Sequence, residues 1–420
     1  MSTFKHIAVD NLPVGWQAKH FWELANFRMG KTPPRNRDEF WEKGIHPWVS
    51  IADMKPFGTV TDTKEKVSEV AHEKVFRRAL VAPGSLLMSF KLTIGRVAKV
   101  GVPTYHNEAI ISFRPDADHV DSDFLFYHLA QINYRDYQDT AVKGQTLNKG
   151  KLEHLEIALP PLPEQRKIAS VLGVVQRAVE QQERLIALTK ELKKALLHQL
   201  FTHGLRGEPQ KQTEIGPVPE SWEIKRFDDF TTLQRGKDLT KTEFRHGTIP
   251  VAGSNGVIGF HDTFNVAGPG VTVGRSGSVG RVIYYPSDFW AHNTSLFVRN
   301  FHGNNPRFSA YYLEHQRLDR FRSGASVPTL DRNQFKDMLI AVPKHDEQAE
   351  IARVLETVDH KKTGHESKDT ALTDLFRTLL HQLMTAQIRV HDLDLDGILS
   401  QVVRENGDKQ SPGLQSPLDK

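Results

Sequence analysis

Two stretches decide how this chain is built. Leu155-Glu-Ile-Ala-Leu-Pro-Pro-Leu-Pro-Glu-Gln-Arg-Lys-Ile-Ala-Ser-Val-Leu172 returns as Met338-Leu-Ile-Ala-Val-Pro-Lys-His-Asp-Glu-Gln-Ala-Glu-Ile-Ala-Arg-Val-Leu355. Glu164 maps onto Glu347, and with the same offset Leu196-Leu-His-Gln-Leu200 recurs as Leu379-Leu-His-Gln-Leu383. Matches that keep one spacing over such a distance mean that a whole segment is duplicated, and a repeat governs architecture before any motif is read.

Each copy opens with an apolar run that proline ends. Pro160, Pro161 and Pro163 lack a ladder donor and stop the strand-like Leu155–Leu159. From Glu164 to about His203 no proline occurs, and Ile168, Val171, Leu172, Val175, Val179, Leu185, Leu188, Leu192, Leu196 and Leu200 mostly recur three or four apart. That spacing predicts a long amphipathic helix, roughly 60 Å at 1.5 Å per residue. The second copy runs from Glu347 to about Ala386. Its middle is polar and holds Gly364, a residue that costs about 1 kcal/mol in a helix relative to alanine. A continuous but locally weak helix is expected there.

The stretches before the helices also echo each other. Gly15-Trp-Gln-Ala-Lys-His-Phe21 parallels Ser221-Trp-Glu-Ile-Lys-Arg-Phe227, Met29-Gly-Lys31 parallels Arg235-Gly-Lys237, and Gly95-Arg-Val97 parallels Gly280-Arg-Val282. His106-Asn107 parallels His292-Asn293, and Thr146-Leu147 parallels Thr329-Leu330. The first module is longer, with most of the excess placed between Pro33 and Lys74. Short apolar runs bounded by turn residues, such as Gly270–Val273 and Val282–Tyr285, read as strands, while Asp123–Gln131 and Ser309–His315 read as helices. An α/β or α+β mixture is expected in each module. The chain divides into a module (1–160), a helical region (161–206), a linker broken by prolines (207–220), a second module (221–343), a second helical region (344–388) and a polar tail (389–420).

The 38% hydrophobic and 25% charged fractions are ordinary for a globular protein of two or three domains. A net charge of +4 permits an anionic partner without demanding one. Cysteine is absent, which excludes disulfides, thiolate zinc sites and cysteine nucleophiles and suits a reducing cytosol. No apolar run approaches the length of a membrane span, and the N-terminal residues lack an apolar signal core.

A long amphipathic helix must cover its apolar face, and its duplicate is the obvious partner. An antiparallel coiled coil of the two, with a pseudo-two-fold axis, would hold the modules a set distance apart. On these residues the chain resembles the specificity subunit of a type I restriction–modification system. The resemblance rests on Ile157–Ala169, its degenerate copy Ile340–Ala352, the Trp-x-x-x-x-Phe opening of each half, Val251–Gly259 and Gly274–Arg281. It covers residues 12 to 390. It departs at Lys344-His-Asp346, which stands where the first copy has Pro161-Leu-Pro163. The resemblance implies two target-recognition domains reading an asymmetric bipartite double-stranded DNA site. It also implies docking to two modification (methyltransferase) subunits that bring S-adenosylmethionine, and to ATP-dependent restriction subunits in the full complex. No catalysis is expected of this chain.

Chemistry of other kinds finds little footing. Thr32-Pro-Pro-Arg35 and Leu159-Pro-Pro-Leu162 lack the polar opener and aromatic of an amino-methyltransferase motif. Gly30-Lys-Thr32 imitates the end of a phosphate-binding loop, but Ala25 stands where the first glycine belongs. Gly274-x-x-Gly277-x-x-Gly280 reads as a turn. No His-Glu-x-x-His occurs, and no metal or catalytic constellation emerges.

Loops mixing basic residues with Asn, Gln and Ser suit base readout, since Arg or Lys pairs guanine and Asn or Gln pairs adenine. In the first module these are Lys31, Arg35, Arg37, Lys91, Arg96, Lys143, Gln145, Asn148 and Lys149. In the second they are Arg235, Lys237, Ser254, Asn255, Arg275, Ser276, Arg281, Arg322, Ser323 and Arg332. Glu164, Gln165, Glu347 and Gln348 are candidates for helix caps or for partner contact. Two rival readings are a coiled-coil scaffold with no nucleic-acid role and an enzyme with a site at Gly274–Arg281. The first predicts no salt-dependent duplex binding, and the second predicts turnover by the isolated chain.

Overall fold

The computed structural model describes residues 12–134, 147, 149–324 and 328–393. Lys143, Gln145 and Asn148 therefore lie outside the described residues. Two helices dominate, Leu162–His203 and His345–Met384, of 42 and 40 residues. The chain falls into two compact units, Met1–Gln181 with Asp369–Lys420, and Gln182–Lys368. Each unit takes one module together with half of each long helix.

In the first unit, strand Gln17–His20 pairs antiparallel with Glu156–Leu159, the strand that leads into the first long helix. Beyond it lies a five-stranded sheet in the order Ala25–Met29, Ile110–Pro115, Leu86–Ser89, Val97–Val100 and Thr59–Val60, parallel only at its last pair. A three-stranded sheet of Glu65–Val67, His46–Val49 and Tyr105–His106 uses the extra length of this module. Helix Ser122–Gln131 starts where the Asp121 carboxylate accepts from the N–H groups of Asp123 and Phe124. Its Phe124 and Leu125 join Phe21 and Phe113 in a core shared with Ile168, Leu172 and Val175 of the first long helix and Leu379, Leu380 and Leu383 of the second.

The second unit repeats the plan. Glu223–Arg226 pairs antiparallel with Leu339–Val342. A four-stranded sheet runs Thr232–Arg235, Ser295–Asn300, Gly270–Gly274, Val282–Tyr285, and a three-stranded one Gly256–His261, Ile249–Gly253, Trp290–Ala291. Helix Pro306–His315 has Asn305 as its cap and proline in the first turn, where a missing N–H costs nothing. Phe308, Tyr312 and Leu313 pack with Leu200 and Phe201 of the first long helix and Ile351, Ala352 and Leu355 of the second. Leu172 and Leu355 are fully buried, so each contributes on the order of 1.5–3 kcal/mol through burial.

The second long helix passes through Gly364 unbroken. A polar contact supports it there: His365 Nδ1 lies 3.0 Å from Oε1 of the buried Gln182. Two segments outside the modules and long helices are ordered as well. The linker 207–220 contains an antiparallel hairpin, Gln210–Thr213 with Gly216–Pro219, turned at Gly216 with φ +101°. Pro217 and Pro219 fall at alternate positions of a two-stranded ribbon, so neither need interrupt its ladder. The segment after residue 388 also begins as docked structure, because Val390 is buried in the first core.

Candidate nucleic-acid interface

Both modules carry one turn of the same construction. In the first, Ser89 N–H donates to Arg96 O at 2.9 Å and Gly95 N–H to Ser89 O at 2.8 Å. In the second, Gly274 N–H donates to Arg281 O and Gly280 N–H to Gly274 O, both at 2.8 Å. Gly95 and Gly280 have φ of +80° and +79°, a region closed to most side chains. A Cβ at Gly280 would also lie 2.6 Å from the backbone of Asp319. The Gly-Arg-Val pairs in the sequence are thus the signature of a hairpin turn between two sheet strands.

In the second module this turn gathers most of the candidate residues. Arg275 and Ser276 N–H groups donate to Thr294 O at 2.8 and 3.1 Å, and Ser254 N–H donates to Thr294 Oγ1 at 3.3 Å. Arg281 Nη1 reaches Asn255 Oδ1 at 2.5 Å. Leu330 N–H donates to Arg275 O, which brings in the strand pair of Arg322–Ser323 with Thr329–Leu330. Burial, and after it the neighbouring Arg235 guanidinium, holds Arg275 below the usual arginine range. Among the described residues no carboxylate pairs with Arg235 or Arg275, so two cations share a site that an anion would neutralise. Lys237 is exposed on the same strand connection, where its N–H donates to Ala291 O. Arg332 lies elsewhere, donating to Leu233 O at 2.6 Å in a cleft with Gln234, Arg299 and Lys336.

The first module's candidates are less concentrated. Arg35 stacks on Trp41 with 3.9 Å to the ring centroid and forms an ion pair with Glu65, which raises its pKa. Arg37 lies 3.5 Å from Glu39. Lys31 is exposed and donates to Val75 O, and Lys91 lies over the Phe90 ring. Arg96 turns inward and donates to Ile51 O at 3.1 Å, so it braces the 51–54 loop. Lys149 opens the short helix Lys149–Glu153.

The four Glu-Gln residues engage their own units. Gln165 is buried; it accepts from Asp121 N–H at 2.8 Å and donates to Pro160 O at 2.9 Å. Gln348 is buried in the same way, accepting from Asn305 N–H at 2.9 Å and donating to Pro343 O at 2.9 Å. Each glutamine fastens the start of a long helix to the cap of its module's helix. Glu347, also buried, accepts from Leu205 N–H and Trp222 Nε1–H, and Glu164 pairs with Arg389. Each of the four side chains is thus bonded within its own unit.

Sequence reading passed over a second basic concavity. In the second unit Lys190, Lys194, Arg317 and Lys362 line a cleft with Arg281, and Lys193 there is neutralised by Glu314 and Asp359. On the helix these lysines read only as a solvated face.

With this geometry in place, the comparison with known proteins is direct. The chain belongs to the family of type I restriction modification DNA specificity domains, which it matches over residues 13–190 and 219–373. It is similar to the type I restriction enzyme EcoprrI specificity subunit of Escherichia coli, at 23% identity over 84% of this chain and 89% of that one. A provisionally assigned type I restriction enzyme MjaX specificity subunit of Methanocaldococcus jannaschii is 22% identical over 92% and 97% of the respective chains. The fold of this chain is similar to the crystal structure of a type I restriction-modification system S subunit from M. genitalium. That likeness has a TM-score of 0.62 at 16% identity, over 91% of this chain and 99% of the other. The architecture is thus that of a restriction–modification specificity subunit, with mixed α/β modules and long helices.

Proposed function

We propose that this chain is the sequence-reading component of a type I restriction–modification complex. Each module grips one half of a bipartite duplex site, and the two long helices pair antiparallel as a coiled coil that sets the gap. Support comes from the opposite halves of the helices within each core, the start of one beside the end of the other. The carrying observation is the repeated hairpin turn, Ser89–Arg96 and Gly274–Arg281, which carries Lys91 in the first module and Arg275 and Arg281 in the second. In the second module Arg235 and Arg275 offer the unneutralised charge that phosphate or guanine would meet.

Partner subunits supply the rest in this reading: two methyltransferase subunits carrying S-adenosylmethionine, and ATP-dependent restriction subunits, in the cytoplasm. Exposed leucines at equivalent helix positions, Leu192 at 50% and Leu375 at 37%, are suited to receive two copies of one partner. Co-expression with the methyltransferase subunit and genome-wide mapping of methylated adenines tests the function. The expected result is a split motif with a constant gap, and methylation without such a motif overturns the reading.

A further inference from the structure

The three-stranded sheet of the first module and the helical turn beside it bring together three residues of a type that binds metal. His46 lies on strand His46–Val49, Glu69 begins helix Glu69–Ala71, and His72 opens the π turn His72–Phe76. One ligand atom from each lies within 4.8 Å of the others. Glu69 and His72 are three residues apart on one helical face, and the neighbouring strand supplies His46. We infer that these side chains form a binding site for one divalent ion of the zinc type, coordinated by two imidazoles and a carboxylate. Water would occupy the fourth position.

Hydrogen bonding around His72 favours this. The Tyr105 hydroxyl donates its single proton to Arg78 O at 2.8 Å. Its oxygen is also in contact with His72 Nδ1, so Nδ1 must be the donor in that pair. The ring is therefore held in the tautomer that leaves Nε2 with a free lone pair, as outer partners of metal-ligating histidines commonly arrange. Tyr105 is fixed by stacking on Phe76, with ring centroids 3.8 Å apart. The other two ligands already converge, His46 Nε2 lying 2.8 Å from Glu69 Oε2. Tetrahedral zinc with bonds near 2.1 Å needs donor atoms about 3.4 Å apart, a spacing that modest side-chain rotation reaches.

The ion fits a structural clip. The cluster beneath it (Phe40, Trp48, Val67, Ala71, Phe76 and Tyr105) is a small satellite core, and the chain has no cysteine with which to staple it. Clipping strand 46–49 to helix 69–71 would also fix Arg35, which stacks on Trp41 and Trp48. This inference does not depend on the DNA-reading proposal.

The test is zinc titration of tag-free, chelator-stripped full-length protein against a chromophoric chelator, alongside His46→Ala/His72→Ala and a His391→Ala control. One tight site per chain is expected, weakened at least a hundredfold in the double variant and unchanged in the control. Should the double variant unfold, Glu69→Gln and Tyr105→Phe serve instead. The latter keeps the ring and removes the hydroxyl, with its bonds to His72 and Arg78, and it should weaken binding about tenfold. X-ray absorption should show two imidazoles in a shell of nitrogen and oxygen. Wild-type binding no tighter than that of the variants, or a zinc shell without imidazole, overturns the site.

Discussion

Arg389 grips Glu164 with two hydrogen bonds, Nε to Oε1 and Nη2 to Oε2, each 2.8 Å long. The residue just beyond the second long helix is thereby fastened to the first turn of the first. The second unit has the reciprocal contact, where Arg206, just beyond the first helix, pairs with Asp346 at 2.6 Å in the first turn of the second. Glu164 is mostly shielded and Asp346 mostly exposed, with side-chain exposures of 12% and 61%. Arg389→Ala should therefore destabilise the protein by roughly 1–3 kcal/mol and Arg206→Ala by less. Urea unfolding of the two variants checks the order.

Gln348→Leu removes the acceptor for Asn305 N–H and the donor to Pro343 O in a buried place. Roughly 2–4 kcal/mol of stability should be lost, against under about 1 kcal/mol for Gln199→Leu on the exposed helix surface. Gln165→Leu should behave like Gln348→Leu, because its bonds are the same. Calorimetry that found either substitution neutral would remove the clamp role.

His106 is buried, and burial lowers its pKa from 6.5 to about 4. The unfolded chain takes up a proton below about pH 6.5 that the folded chain refuses. Stability from this group is thus complete above pH 6.5 and declines as pH falls toward 4, by roughly 3 kcal/mol at most. Urea midpoints measured from pH 7 to 4.5 should fall more steeply for the wild type than for His106→Asn.

Arg275→Ala and Arg235→Ala should each weaken duplex binding by the assembled complex, by roughly 1–3 kcal/mol for base contact. A phosphate contact would instead reduce the salt slope by about one. Lys91→Ala should be milder. Fluorescence anisotropy at several salt concentrations separates these outcomes, and unchanged affinity in both arginine variants would remove the turn from the interface.

Leu192→Asp and Leu375→Asp should leave folding intact and weaken methyltransferase association, each lowering the copies bound from two toward one. Analytical ultracentrifugation of the mixed subunits reads that stoichiometry.

The repeat was the most legible part of this molecule, because the glutamine of the doubled Glu-Gln signature has the same hydrogen-bond duty in both copies. Helix extents were readable to within two residues from leucine spacing. The hairpin at 210–219 was not, since its prolines mask a strand pattern and its stability comes from Val218 in a core made by distant residues. Among candidate site residues the turn at 274–281 was legible from its glycines. The role of Arg96 was hidden, as nothing local says that its guanidinium turns back to Ile51. The His46, Glu69 and His72 grouping was equally hidden, because strand pairing joins segments far apart in sequence.

In both modules the first and last strands lie hydrogen-bonded to each other, Gln17–His20 with Glu156–Leu159 and Glu223–Arg226 with Leu339–Val342. A module therefore leaves the frame through two adjacent points, like a cartridge with both terminals on one side. A replacement for everything between those terminals has to rebuild one strand pair, one glutamine clamp and the core face shared with the long helices. On the proposed function, exchanging such a cassette would change what the protein recognises while the helices stay as they are.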